Sequence, residues 1–179
     1  RWFAEFFAPE KNEFDFKELY QYYQYLRAVE LRTLQGEKVK SFEECEIANF
    51  LYLNGVAYEY EPDYEHKVSN VGLKDYCPDF RLKNSGVYIE HFGVRKQKIG
   101  GISQLITAPF VDCNKYLETM NWKRTIHKKY ETTLIETFSY ERQDGMLLIA
   151  LAEKIAPYEE VSPRSPETLF DRIIELNQA

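Results

Sequence analysis

The chain has little of what would staple a small secreted scaffold together. Its three cysteines, Cys45, Cys77 and Cys113, are odd in number and no two stand at metal-ligand spacing. That excludes a disulfide framework and a zinc finger, and it points to reduced thiols in a cytoplasmic setting. The three histidines, His66, His91 and His127, are too scattered to propose a triad. No apolar run approaches the length of a membrane span, so no membrane partner is expected. Signal peptide, internal repeats and low-complexity tracts are absent from the sequence. So are G-x-x-x-x-G-K-[ST], H-E-x-x-H and C-x-x-C, which leaves no P-loop nucleotide site and no zinc motif. The chain opens at Arg1 rather than Met and closes on Asn177-Gln178-Ala179, and it reads as a piece of a longer protein.

What is present is a packed chain of 179 residues, 44% apolar and 16% aromatic. That is enough for one domain with a sizeable core. The net charge of −6 seems to argue against nucleic acid, but its distribution is uneven. Residues 1–66 carry −7, residues 67–129 carry +7 and residues 130–179 carry −6. A locally cationic third suits a phosphate backbone, because affinity for a polyanion follows the local field rather than the isoelectric point; chance clustering would look the same.

That cationic third holds Tyr76-Cys77-Pro78-Asp79-Phe80 and Gly86-Val87-Tyr88-Ile89-Glu90-His91-Phe92-Gly93. Both are β-like runs flanking the turn-forming Lys83-Asn84-Ser85-Gly86, so they read as an antiparallel hairpin. Asp79 follows a proline that can open a strand, and Glu90 stands near the end of an apolar one. A hairpin closing at Asn84-Ser85 brings the two carboxylates to one end of the sheet, where they repel each other unless a hard divalent cation intervenes. Two solvated charges at strand ends would fit the same pattern.

Around this centre the chain reads as mixed α/β with a small central sheet. The first 14 residues are irregular and aromatic, with Trp2, Phe3, Phe6 and Phe7 as packing residues. Asp15 and Glu18 suggest a capping box opening a helix to about Arg27, with Phe16, Leu19, Tyr20 and Tyr23 as its stripe. Ser41 opens a second helix in which Glu44, Ile47, Ala48 and Leu51 fall on one face, while Glu43 and Glu46 are offset. A carboxylate on an apolar stripe needs a partner, so Glu44 is either bonded structurally or directed into a site. Asn54-Gly55 ends that helix, Val56–Tyr60 alternates as a strand, and 61–73 is a polar loop.

Val94–Lys98 with Gly100-Gly101 reads as a basic, glycine-bearing connection, able to close over a backbone or to remain a solvated loop. A helix from about Asp112 to Lys129 places Tyr116, Met120, Lys123 and His127 on one face. Thr132–Phe138 is the next strand and Gly145–Lys154 an apolar helix. Ser165-Pro166-Glu167 caps a last helix.

Taken together, Ser41-x-x-Glu44-x-x-Ile47-Ala48, Tyr58-Glu59-Tyr60-Glu61, Pro78-Asp79-Phe80 and Tyr88-Ile89-Glu90-His91-Phe92-Gly93 resemble the PD-(D/E)XK nucleases of the restriction-endonuclease-like fold. With Leu34–Ser41 before them, and Met120-Asn121-Trp122-Lys123-Arg124-x-x-His127 and Leu134-Ile135-Glu136-Thr137 after, the stretch is similar to the nuclease-like segment of some UvrD/Rep-like superfamily 1 helicases of the helicase IV type. The likeness covers about residues 32–140. It implies a linking segment at 1–31, a nuclease-like domain at 32–158 and a helix at 159–179 leading back to the parent, with DNA and the helicase motor domains of the same polypeptide as partners.

The resemblance further implies that Asp79, Glu90 and the main-chain carbonyl of His91 hold Mg²⁺ or Mn²⁺, and that Glu44 assists the ion or its waters. The family's lysine stands two residues after the glutamate, which here is Phe92. Either the lysine has migrated, with Lys123 the first choice and Lys96 or Lys98 behind it, or the domain no longer cuts and serves as a DNA-binding or regulatory insert. Arg95, Lys96, Lys98 and Arg124 are the expected DNA contacts. The His91 side chain should point away from Glu90 in a regular strand, which makes it structural.

Overall fold

A computed structural model describes residues 11–68 and 76–178. The expected packing residues Trp2, Phe3, Phe6 and Phe7, and the end of the polar loop at 69–73, lie outside them. The elements are α1 (Leu19–Val29), α2 (Phe42–Leu53), β1 (Tyr58–Tyr60), β2 (Phe80–Leu82), β3 (Tyr88–Phe92), β4 (Arg95–Ile99), β5 (Ile102–Ile106), α3 (Cys113–Lys129), β6 (Leu134–Phe138), α4 (Ser139–Gln143), α5 (Leu147–Ile155) and α6 (Pro166–Gln178). The coarse class, mixed α/β with a small mixed sheet, is what the residue pattern suggested.

The main sheet runs β1-β2-β3-β6. β1–β2 and β2–β3 are antiparallel, and β6 joins β3 in parallel after the crossover through α3. Alternation on β3 then sorts its side chains between two layers. Ile89 faces a core of Ile47, Ala48 and Leu51 from α2, Tyr58, Phe80 and Leu82 from the sheet, and Leu147, Leu151 and Ile155 from α5. Tyr88 and Phe92 face the other way, under Ile126 and Met120 of α3. Glu90 shares that second face, so a carboxylate is carried into the layer beneath α3 by the period of the strand alone.

The turn at Lys83-Asn84-Ser85 is closed by Leu82 N–H donating to Val87 O, with Gly86 at φ +73°. Phe80 pairs with Ile89, so one residue further along the ladder Asp79 stands opposite Glu90. The Ser41 hydroxyl caps α2 and Asp112 caps α3, as their positions suggested.

Three local readings are corrected. Asn12, not Asp15, is the first cap: it opens a 3₁₀ turn at Glu13–Asp15, and α1 begins only at Leu19 with Glu18 before it. The Asp15 side chain is spent inside that turn, accepting from Asn12 N–H at 2.8 Å. The apolar helix placed at Gly145–Lys154 begins at Leu147, because Gly145 sits at φ +70° and closes the preceding turn. Residues 94–106 are not a loop but a second sheet, the β4–β5 hairpin, turned by Gly100 and Gly101 at φ +59° and +85°. Two consecutive positive-φ residues make the two-residue turn that fits a twisted hairpin.

Candidate functional site

Asp79 reaches the end of β3, where its Oδ2 accepts from His91 N–H at 2.7 Å. Glu90 is fully buried. Its Oε1 accepts from the Tyr76 hydroxyl at 2.6 Å and its Oε2 pairs with Lys123 Nζ. Lys123 comes from α3 across the layer, its side chain only 20% exposed and its ammonium near the Tyr76 and Phe92 rings. The face assigned to Tyr116, Met120, Lys123 and His127 does turn toward the sheet, with Met120 and His127 buried and the Tyr116 hydroxyl accepting from Gly93 N–H at 2.8 Å.

Burial, and then the neighbouring Asp79 charge, push the Glu90 carboxyl up to about 8 against the opposing pull of Lys123 and Tyr76. Burial works to neutralise Lys123, but the charges of Glu90 and Asp79 outweigh it and its pKa is raised. Behind Glu90 runs a polar chain that the sequence reading missed. The Tyr76 hydroxyl lies 2.9 Å from His127 Nε2, His127 Nδ1 lies 2.8 Å from Thr132 Oγ1, and Thr132 Oγ1 lies 2.6 Å from the Tyr64 hydroxyl. Burial first, then Lys123, lower the His127 pKa to about 4. The imidazole is therefore neutral and can serve this chain as donor on one nitrogen and acceptor on the other.

On the α2 side the burial of the two glutamates reverses the expected order. Glu43, placed off the stripe, is buried, whereas Glu44 is half-buried. The reason is that α2 is covered on more than one side at its start, so its buried surface at that end is wider than the 3.6-residue stripe. Glu43 Oε2 lies 2.6 Å from His91 Nε2 and also accepts from the Ser139 hydroxyl, while His91 Nδ1 lies 2.9 Å from Thr137 Oγ1. The His91 side chain thus points away from Glu90. Burial raises Glu43, but the His91 bond and charge overcome it and hold the carboxyl low.

Glu44 accepts from the Tyr60 hydroxyl at 2.7 Å and from Lys40 N–H at 3.1 Å. Burial and then Asp79 raise it to about 7. Glu13, unread in the sequence, packs against the Gly93 main chain and is raised to about 7 by burial and then by Glu43. A cleft of about 220 Å³ opens between Glu13, Glu43, Glu44, His91 and the aromatic residues Tyr22 and Tyr116.

The expected DNA contacts divide. Arg95 and Lys96 lie at the base of the β4–β5 hairpin, over the rings of Phe14 at 4.0 Å and Tyr140 at 3.8 Å, and Lys98 is exposed further out. Lys96 and Lys98 therefore leave the lysine position beside Glu90 to Lys123. Arg124 is held on α3 by a two-pronged pair with Glu136, one contact of which measures 3.0 Å.

Whether these residues suit a divalent cation is a matter of donor chemistry. Asp79, Glu90 and Glu44 are hard oxygen donors, and after burial it is the Asp79 charge that raises both glutamates, so the three carboxyls lie close enough to interact. Among the described residues no group of three His, Cys, Asp or Glu side chains could hold an ion unaided. An ion here would need main-chain, water and phosphate oxygens to complete its shell, which is how Mg²⁺ ordinarily binds. The donor set fits on those terms.

No protein-family profile matches the chain, and no solved structure does. An uncharacterized protein of Methanocaldococcus jannaschii is 36% identical over 72 residues, 39% of this chain and 6% of that protein. The likeness thus joins less than half of this chain to a small part of a much longer protein. Among the described residues no helix is long and apolar enough to cross a membrane.

Proposed function

We propose that this chain is a metal-dependent nuclease domain of the PD-(D/E)XK type, acting on DNA within a larger helicase-like protein of the helicase IV kind. The observation that supports this reading best is the approach of Lys123 from α3 to Glu90, beside Asp79, although the strand itself offers Phe92 where a lysine would be expected. Asp79, Glu90 and the His91 carbonyl would hold Mg²⁺ or Mn²⁺, which when bound polarises a phosphate and acidifies a water.

The chain's own groups do the rest. Lys123 places an ammonium where charge develops on the phosphate oxygens, and Tyr76 and the His91 N–H fix the two carboxylates that face it. Glu44 offers a further oxygen to waters on the α2 side. The calorimetric test is Mn²⁺ binding to wild type and to Asp79→Ala: heat should appear for the first and vanish for the second, and equal binding would sink the assignment.

A second reading, a DNA-binding insert that no longer cuts, is favoured by one feature. Both oxygens of Glu90 already have donors within the protein, so a bound ion must compete with Lys123 and Tyr76 for that carboxylate.

A further inference from the structure

Only the base of the β4–β5 hairpin joins the core, where Leu105 packs against the Phe92, Val94 and Met120 cluster. Its five register pairs run from Arg95–Ile106 at the base to Ile99–Ile102 at the tip, a ribbon about 17 Å long at the usual strand rise. From Lys96 to Gln104 both strands are exposed, and the two isoleucines at the tip are 49% and 67% exposed. Exposed apolar side chains on a strand edge are a liability unless something covers them.

Pairing and alternation give the ribbon two distinct faces. Ile99 and Ile102, Gln97 and Gln104, then Arg95 and Ile106 lie along one; Lys98 with Ser103 and Lys96 with Leu105 lie along the other. Between Val94 and Val111 there are three cations and no carboxylate. A basic ribbon with opposed glutamines behind an apolar tip matches the chemistry of proteins that enter a DNA groove, read it with amides and wedge an aliphatic side chain between base steps.

The root of the ribbon is fixed. Arg95 stacks on Phe14, Lys96 on Tyr140, and Val94 is buried. The ribbon begins at Arg95, four residues after His91, at the end of β3 that carries Glu90 and that Asp79 reaches from before β2. Duplex lying along the ribbon would therefore pass its backbone close to those carboxylates.

We infer that the β4–β5 hairpin is a groove-binding ribbon for duplex DNA, with Lys96 and Lys98 on phosphates and Ile99 and Ile102 as a wedge that unstacks one base step; this rests on the reading of the chain as DNA-acting. The occupant is duplex rather than a lipid surface because the isoleucines form a two-residue point on a narrow ribbon, flanked by amides, and not a broad apolar face.

The test uses the 179-residue chain in EDTA, with a short duplex carrying 2-aminopurine at a TA step, where unstacking is easiest. Wild type should bind and raise the 2-aminopurine fluorescence. The pair Ile99→Ser/Ile102→Ser should abolish that rise and weaken binding about 10-fold, a loss of about 1.4 kcal/mol, with the salt slope unchanged. The pair Lys96→Ala/Lys98→Ala should reduce the slope by about 2.

Unaltered circular dichroism and cooperative melting of both pairs establish that folding is intact, the lysine pair melting slightly lower because it loses the Lys96 contact with Tyr140. The inference is overturned if the serine pair binds and perturbs the duplex as wild type does. It is overturned equally if wild type ignores duplex while sedimenting with phosphatidylserine vesicles. Parallel cleavage assays with Mn²⁺ separate the two readings: cutting that continues in a serine pair with unaltered binding removes the ribbon alone, and a working ribbon on a chain that never cuts removes the nuclease alone.

Discussion

Replacing Tyr76 by Phe isolates the hydroxyl that joins Glu90 to the polar chain behind it. The ring is retained, and with it the contacts to Tyr64 and Trp122 at centroid distances of 5.1 and 5.4 Å, so the cost comes from hydrogen bonding alone. Two groups lose a partner: Glu90 Oε1, at 2.6 Å, and His127 Nε2, at 2.9 Å. Both residues are essentially inaccessible to solvent, which leaves no ready water to substitute. A bond to an ionisable partner contributes about 1.5–3 kcal/mol, and a buried group left bare costs a similar amount. The two overlap, so about 2–3 kcal/mol is expected. For a chain of this size that is a fall of roughly 4–12 °C in melting temperature. Urea denaturation supplies the free energy directly. A double-mutant cycle with Lys123→Met, the other donor to Glu90, should show coupling of about 0.5–3 kcal/mol. A loss below about 0.5 kcal/mol for Tyr76→Phe, with no coupling, would refute the buried chain.

The pH dependence of stability follows from the raised carboxyls. Glu13 and Glu44 are held near 7 and Glu90 near 8, above their unfolded value of 4.5. Their contribution is complete below that value and is lost as pH rises through the folded ones. His127, lowered to about 4 from 6.5, acts in the opposite sense and loses its contribution as pH falls through that window. Three groups stand against one between about pH 4.5 and 6.5, and above that His127 no longer opposes them, so the melting temperature should drop from about pH 4.5 to pH 8, and Glu44→Gln should flatten part of that drop; a melting temperature that rises over the same range would contradict the assignment. At Gly55, φ +70° and the Ser162 main-chain oxygen leave no room for a methyl. Gly55→Ala should therefore destabilise by about 1–3 kcal/mol and speed hydrogen exchange at the Ser162 and Arg164 amides, which donate to Asn54 O and Leu53 O; unchanged exchange would show that the chain relaxes freely there.

Legibility in the sequence tracked how local each constraint was. The β2–β3 hairpin could be read because turn residues and strand alternation are local signals. The inward face of α3 could be read because four residues spaced along one helix are enough to define it. Which of Glu43 and Glu44 would be buried could not, because burial there depends on what covers the start of α2 beyond its apolar stripe. Tyr76, His127 and Thr132 meet only through the β3–β6 crossover, a contact over 51 residues for Tyr76 and His127 that no spacing announces. Glu13 reaches the cleft by packing on Gly93, and only folding brings the two together. The β4–β5 hairpin was missed for a different reason. Its Gly100-Gly101 turn between two five-residue runs is a usable signal, but as far as Gln104 the strands are polar and basic on both faces except at Ile99 and Ile102, so they lack the apolar alternation that marks a half-buried strand.

The central claim is that Lys123 replaces the lysine that β3 lacks. Its most direct test is the rate at which wild type and Lys123→Ala cut plasmid or single-stranded DNA with Mn²⁺, alongside Mn²⁺ binding measured on both. The account predicts cleavage by wild type and a loss of about 10²-fold or more in the variant, the size expected when one transition-state stabiliser is removed, with metal binding retained. Equal rates would contradict it, and a wild type that binds DNA but fails to cut whatever metal is supplied would leave the chain a binding module.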